Sequence, residues 1–372
     1  MDALIASGRY LLFFENTSRS HVASQASRRR GIALITVLLF FAFLSAIAVR
    51  LASNHSMLIA QSQNTFTADL ALNYALGGEE MARQALYEDF THSGKEVDHL
   101  QETWAQPLPP LALDEGGVVE IQIQDLHGCF NVNALGGAGS QASHSVLINL
   151  LNIVGLPPAI ADRALDWVDA DDITTGFGAE DNEYLLTRPA FRTPNGRMGD
   201  VSEVRVLLDG VDLGDADINR DLLPFLCAHP ADVLQVNVNS ARGEVLVALL
   251  PGTDLGRMQG IANFDPGGRD CCEGTDLGRM QGIANQPRSF RTVGEFVQSY
   301  PEYQGVTASL RATSDWFRIS VRVQIDRTTV ILSSLAWRDP ATGRVSIRSR
   351  DFGRDFRTRV RTTVEGEEKE AS

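Results

Sequence analysis

From Ile32 to Val49 no side chain is charged, a run of eighteen residues bounded by Arg28-Arg29-Arg30-Gly31 before it and Arg50 after it. As a helix, residues 31–49 would span roughly 30 Å, the thickness of a bilayer's hydrocarbon core. The polar side chains inside the run are Thr36 and Ser45, whose hydroxyls can bond back to carbonyls one turn earlier. The helical pattern continues past Arg50. No proline occurs between Leu51 and Phe90, and apolar residues recur at Leu58, Phe66, Leu70, Tyr74, Met81, Ala85 and Leu86, weakened in the middle by Gly77-Gly78. The pattern predicts one helix from about 32 to 90.

The pattern then changes period. Gln106–Pro110 reads as a linker. In 118–126, Val119, Ile121 and Ile123 alternate with Glu120, Gln122 and Gln124, which predicts a half-buried strand. Helical spacing returns in 145–167, broken by a Gly155-Leu156-Pro157 turn, and short helices are expected near Ser202 and over 221–228. Another helix is expected in 242–252, and one over 290–297 with Ser289 as its cap. The chain ends in alternation: strands at 316–325, 329–337 and 345–348, with a tight turn at Asp326-Arg327, predict an antiparallel meander. GTDLGRMQGIAN at 252–263 recurs letter for letter at 274–285. Two units are too few for a solenoid, so the repeat reads as a duplicated surface loop.

Charge adds a polarity. Residues 1–31 carry five arginines against Asp2 and Glu15, while the rest of the chain holds a formal charge of −17 out of −14 overall. The tendency of basic flanks to stay in the cytoplasm predicts export of everything after about residue 50. So acidic a body is a poor match for phosphate and argues against a nucleic-acid partner. Two rival readings fare badly for the same kind of reason. The helix-turn-helix patterns resemble exported helix-hairpin-helix DNA-binding modules but lack flanking Lys or Arg clusters, and an anchored enzyme would need a motif of which none is visible. His127, His144 and His229 read as ordinary surface or capping histidines. Cys129, Cys227, Cys271 and Cys272 would sit in an oxidising compartment, and their spacing leaves three full pairings open.

The segment from 162 to 183 holds Asp162, Asp166, Asp169, Asp171, Asp172, Glu180, Asp181 and Glu183, opposed within it by Arg163 alone. Carboxylates this dense repel unless they face water or share a cation. Flexible Asp-rich loops suit calcium, although the EF-hand glycine at loop position six is missing here.

A basic leader, a glycine and an apolar run opening a long helix resemble the type IV pilins and pseudopilins. The resemblance implies cleavage by a prepilin peptidase between Gly31 and Ile32 and methylation of the new N-terminus. Most members carry glutamate at the fifth mature position, which is Thr36 here. The type II secretion system protein K family, whose members typically lack that glutamate, is the best match. DLHGCFNVNAL (125–135), LDWVDADD (165–172), GAEDNEYL (178–185), MGDVSEVRVL (198–207) and NVNSA (237–241) also resemble its segments. The resemblance implies calcium in the inserted region, with Asp169, Asp171, Glu180 and Asp181 as ligands and Asp172 and Asp200 as further candidates. A buried carboxylate in lipid must find a cation, so a subunit with Thr36 would not pair with a neighbour's N-terminal ammonium, and the resemblance implies a subunit at the fibre tip.

The expected fold is α+β: a pilin-like long N-terminal helix, transmembrane in its first half, packed on an antiparallel sheet, with a large helical domain inserted. The expected divisions are a leader at 1–31, the membrane half of the helix at 32–50, the rest of the helix and the first strand at 51–133, and the inserted helical domain at 134–235. A return to the core at 236–350 and a flexible tail at 351–372 complete it. The implied function is that of a minor pseudopilin in the periplasmic pseudopilus of a type II secretion system, with a minor pilin of a type IV pilus as the alternative. The implied partners are other minor pseudopilins, the major pseudopilin, prepilin peptidase, the inner-membrane secretion platform and inner-membrane lipid. The implied location is the inner membrane, crossed once, with the C-terminal domain periplasmic.

Overall fold

The computed structural model describes residues 22–92, 97–106, 108–114, 116–207, 218–251 and 287–352, with side chains from residue 32 onward. The leader up to residue 21, the duplicated loop 252–285 with Cys271-Cys272, and the tail beyond 352 lie outside the described residues.

Helix α1 runs from Val22 to His92 without interruption, roughly 105 Å of continuous helix. It begins earlier than the pattern predicted because nothing between 22 and 31 opposes helix. The chain divides into two compact units, 1–66 and 67–372. In the first, every described side chain from Ile32 to Phe66 is exposed, large apolar ones included: Phe40 is 67% and Phe41 71% exposed. This helix is long and apolar enough to cross a membrane.

In the second unit the same helix acquires a core face. Ala71, Ala75, Gly78, Glu79, Ala82, Leu86 and Phe90 are buried at steps of three to four residues, the period of one helical face. After α1 come strands β1 (Leu111–Ala112), β2 (Val118–Asp125) and β3 (Phe130–Asn131). Helices α2 (Ser140–Ile153), α3 (Ala159–Val168), α4 (Asp181–Tyr184) and α5 (Val204–Leu207) follow. Strands β4 (Leu226–Cys227) and β5 (Val236–Asn237) precede α6 (Gly243–Ala248) and α7 (Val293–Ser299). The chain closes through β6 (Leu310–Arg311), β7 (Trp316–Ile325), β8 (Thr328–Arg338) and β9 (Val345–Phe352).

The main sheet has the order β1-β2-β7-β8-β9, every neighbour antiparallel. Its alternation was legible in the sequence: Val119, Ile121 and Ile123 on β2 and Phe317, Ile319, Val321, Val323 and Ile325 on β7 share one core with the α1 stripe. The registers Val119↔Val323, Ile121↔Val321 and Ile123↔Ile319 stack them row by row, while Glu120 and Arg322, opposite each other in the same register, pair as ions. Small residues on α1 let helix and sheet approach closely. A Cβ at Gly78 would stand 2.8 Å from Val321 Cγ1 and 3.4 Å from Ile121 Cγ1.

Charged groups clamp the same contact. Glu79, buried on α1, accepts from Arg350 Nη2 and Nε of β9 at 2.8 and 2.9 Å and from Ser334 Oγ of β8. Burial would raise the Glu79 carboxyl, but the hydrogen bonds from Arg350 and Ser334 outweigh it and hold the group below the ordinary glutamate value.

The end of β2 and the start of β7 are partners, with Asp125 opposite Phe317. Everything between them is one long excursion from a pair of adjacent strands. A second hydrophobic core unites it, from Phe130 through Leu250 to Phe296, Tyr303 and Leu310. The predicted return to the sheet at 236 is therefore displaced: Val236, Val238, Val245 and Leu246 pack with the helices, and the chain rejoins the sheet at Trp316. Two further expectations change. Residues 221–228 were expected to be helical; the helix ends by Phe225, and Leu226–Cys227 instead pairs in parallel with Phe130–Asn131. The cap of α7 is Thr292, whose Oγ1 accepts from Glu295 N at 3.1 Å, rather than Ser289.

Both ends of the excursion are tied where they leave the sheet. Cys129 and Cys227 form a disulfide with Cα atoms 5.8 Å apart. Two N-V-N segments bury their asparagines and spend the side-chain amides on backbone and, at Asn237, on side chains as well. Asn131 donates to Ala231 O at 2.6 Å and accepts from His229 N at 3.1 Å; Asn133 exchanges both bonds with Met198. Asn237 donates to Asp125, Ser314 and Asp98 O, and Asn239 exchanges both bonds with Phe290. Each segment contributes to a short parallel pair, β3–β4 and β5–β6.

The close approach at Gly78 is testable. Gly78→Val places branched carbons where Val321 already sits, a clash costing about 1–3 kcal/mol, and should lower the melting temperature of the full chain in detergent by several degrees. An unchanged melting temperature would show that α1 can lift off the sheet freely.

Candidate functional site

Two regions carry the functional residues expected from sequence. The first is the apolar start of α1. The helix passes through the Gly31–Ile32 junction without a break. Thr36 is exposed, and its hydroxyl donates to Ala33 O at 2.9 Å, so its one donor is spent within the helix. No carboxylate stands between Ile32 and Val49.

The second is the acidic segment between α3 and α5. Asp162 and Asp166 project from α3 as braces for the loop that follows. Asp162 meets His144 Nε2 at 2.8 Å and accepts from Phe177 N at 2.9 Å. Asp166 is fully buried and accepts from Thr175 N at 3.1 and 3.2 Å. The loop presses so closely on Asp166 that any Cβ at Gly178 would collide with its Oδ2. Burial drives the Asp166 carboxyl up to about 6, with repulsion from Asp169 adding to it.

Asp169 caps the end of α3, and Glu180 precedes α4. Burial pushes Glu180 up to about 7, and Asp166, Asp169 and Asp172 push in the same direction. Asp169 is raised by burial and by its neighbour Asp171. Three buried oxygens here lack hydrogen-bond partners: Asp169 Oδ1, Glu180 Oε1 and Asn195 Oδ1. Asn195, at φ 42°, donates to Asp171 O at 2.9 Å and Asp172 Oδ1 at 2.7 Å, which ties its turn to the same loop. Unpartnered buried acceptors are costly, and a hard cation is one partner that would relieve them.

The expected ligands have different surroundings. The charges of Asp166, Asp169 and Asp172 all act on the Glu180 carboxyl. Asp181 is turned to Arg192 and to Thr193 N, which outweigh its desolvation and hold it below the ordinary value. Asp171 caps the N–H of Ile173 at 2.9 Å. Asp200 caps Ser202 N at 2.8 Å and pairs with Arg318 at 3.0 Å. Asn195 was not picked out, although Pro194-Asn195-Gly196 is a turn signature. No group of three carboxylates in this segment brings its oxygens within 4.8 Å of one another among the described residues.

The three histidines are buried, not surface groups. His127 meets Gln235 O at 3.0 Å and Arg311 Nη1 at 2.9 Å through its two ring nitrogens. His229 lies 4.9 Å from the His127 ring and stacks on Trp316. Burial holds both imidazoles below their ordinary values. They sit next to the disulfide in sequence and brace the exit from the sheet.

Comparison with known proteins places these features. A family model for type II secretion system protein K matches residues 128–231. Type II secretion system protein K of Pseudomonas aeruginosa is 34% identical over 339 residues, covering 87% of this chain and 93% of that protein. The protein K of Klebsiella pneumoniae is 36% identical over 237 residues, covering 60% of this chain and 71% of that one. Among solved structures, a chain of the GspK-GspI-GspJ complex from the type 2 secretion system of enterotoxigenic Escherichia coli shares the fold. Its TM-score is 0.59 at 22% identity, covering 79% of this chain and all of that one. A relative matched at this identity along nearly its whole length settles the family, and the chain belongs to the type II secretion system protein K family of minor pseudopilins.

Proposed function

We propose that this chain is the subunit at the periplasmic tip of a type II secretion pseudopilus, delivered there from the inner membrane after removal of its leader. The observation that carries this reading is the near full-length match to protein K relatives, joined to an apolar helix with threonine at the fifth position after Gly31. In this reading the N-terminus stays cytoplasmic, and a prepilin peptidase cuts between Gly31 and Ile32. The apolar half of α1 then packs among pseudopilin helices. The absence of a carboxylate at position 36 leaves nothing in the membrane that needs a neighbour's ammonium. The helical excursion between β2 and β7 is too large to stack a further subunit above. By analogy with the GspK-GspI-GspJ complex, two smaller minor pseudopilins sit beneath this subunit, with the major pseudopilin and the inner-membrane platform further down. Such a role is structural, not enzymatic. A minor pilin of a type IV pilus is not favoured, since the relatives compared are secretion proteins.

Calcium belongs to the same proposal. The orphaned oxygens of Asp169, Glu180 and Asn195, with Asp166 and Asp172 beside them, fit an oxygen-loving divalent ion. Bound there, it would balance carboxylates that otherwise repel and would fasten the loop between α3 and α4. Asp171 and Asp181 would act from outside, positioning the Ile173 and Thr193 backbones.

Two measurements test the proposal. Intact-mass and N-terminal analysis of the protein from its native membrane should find a chain beginning at Ile32 and carrying one N-methyl group; a retained leader or a cut elsewhere would contradict the processing. Calcium binding should depend on pH. Raised above 3.8 and 4.5, the Asp166 and Glu180 carboxyls favour the folded chain at low pH, and that contribution is lost as pH rises through about 6 and about 7. Calcium must displace those protons, so its affinity should fall more than about tenfold between pH 7.5 and 5.5. Affinity that is flat across this range, measured by calorimetry, would remove this loop as the site.

A further inference from the structure

The helical excursion leaves the sheet at the end of β2 and returns to it at the start of β7, and two buried imidazoles stand at that joint. His127 follows β2, His229 follows β4, and each residue is only 2% exposed. The hydrogen bonds of His127 fix its protonation. Arg311 of β6 can only donate, so the Nε2 that meets Arg311 Nη1 at 2.9 Å is an acceptor. Gln235 O can only accept, so the Nδ1 that meets it at 3.0 Å carries the proton. The ring is thus a neutral link between β6 and the segment before β5.

The same residues are joined through the backbone. Asn237 N donates to His127 O at 2.8 Å, and Val238 N donates to Arg311 O at 2.9 Å. Adjacent residues of the returning chain hold both the exit from β2 and β6, and the His127–Arg311 contact closes the triangle.

A second proton on His127 would go to Nε2. It would aim one donor at another, cation against cation, across 2.9 Å. The two carboxylates that face the ring are already engaged. Asp315 accepts from Arg311 Nη2 at 2.7 Å. Asp125 accepts from His127 N at 2.8 Å, Asn237 Nδ2 at 3.0 Å, Ser314 Oγ at 2.6 Å and Ser240 Oγ. His229 lies edge-on 4.9 Å from His127 and stacks on Trp316. Its Nδ1 is buried without a hydrogen-bond partner among the described residues, and its backbone is held by Asn131 and Asn133. Burial and then the Arg311 charge hold His127 below the ordinary imidazole value, against the pull of Asp125 and Asp315. Burial, His127 and Arg311 do the same for His229. Across the loop before β7, Asp98 accepts from Ser314 N at 2.7 Å, and burial drives its carboxyl up to about 6 despite Arg338.

We propose that His127 is a proton-operated latch between the helical excursion and the sheet. Neutral, it ties β6 to the exit from β2; charged, it drives Arg311 away and frees the two to part. Because the folded chain resists the proton, the latch contributes stability that is full above the ordinary value of 6.5 and is lost as pH falls through the lowered one. The disulfide Cys129–Cys227 joins the exit to β4 covalently, so opening is confined to the β5–β6 side of the joint.

Hydrogen–deuterium exchange of the full chain in detergent, corrected at each pH for the intrinsic exchange rate, reads the amides of Asn237 and Val238. Between pH 7.5 and 5.0 their protection should fall more than about tenfold in the parent protein. His127→Gln should keep its protection at both pH values, since a glutamine amide donates to Gln235 O and accepts from Arg311 without titrating. Unchanged protection in the parent, or an equal acid loss in His127→Gln, would overturn the proposal. Should His127→Gln fail to fold, Asp98→Asn decides between the two titrating groups. The acid loss should persist in Asp98→Asn; a loss that disappears there would assign the response to Asp98 and contradict the latch.

Discussion

The close contact between α1 and the sheet is the constraint on which the rest of the folded body depends. Ala71, Ala75, Gly78 and Ala82 keep the helix surface low enough for β2 and β7 to lie almost on its backbone. Glu79 fixes the rotation of the helix by reaching Arg350 and Ser334 on the far strands. Because the two strands under Gly78 are also the strands between which the helical excursion is inserted, anything that shifts the helix shifts the roots of that excursion. The disulfide at Cys129–Cys227 and the hub around Asp125, Asn237 and Ser314 stiffen those roots.

One helix thus serves two solvents. From Ile32 to Val49 the helix is apolar and exposed all round, residues 50–66 are exposed and largely polar, and beyond Thr67 one face is buried. A helix apolar on every side is suited to lipid or to the interior of a helical bundle, and a striped one to a sheet. This division is written in the sequence, and it suits a chain whose N-terminal segment crosses a membrane.

Local and periodic features were legible in the sequence. The long helix, β2 and the three-stranded meander follow from period and from the absence of proline; the strands lie close to their expected bounds, and the helix starts ten residues earlier. What the sequence did not disclose depends on long-range closure. Nothing local says that Cys129 meets Cys227, that Leu226 extends alongside Phe130, or that residues 236–250 and 290–310 pack with the helices and not with the sheet. The acidic loop shows the same limit. Density of carboxylates marked the region, but the roles of individual groups turn on distant partners. Arg192 and Thr193 occupy Asp181, Arg318 takes Asp200, and Asn195 enters from a turn over twenty residues beyond Asp171. The burial of His127 and His229 comes with partners distant in sequence, Arg311 and Trp316 among them, which no window of sequence contains.

The account stands or falls on the company the chain keeps in the cell. Affinity isolation of the full-length protein from solubilised membranes, with the other pseudopilins of the same secretion system present at natural levels, followed by native mass spectrometry, addresses this directly. The account predicts a complex with one copy of this chain and single copies of two smaller minor pseudopilins. A chain recovered alone, or in a polymer built of many copies of itself, would contradict a tip subunit.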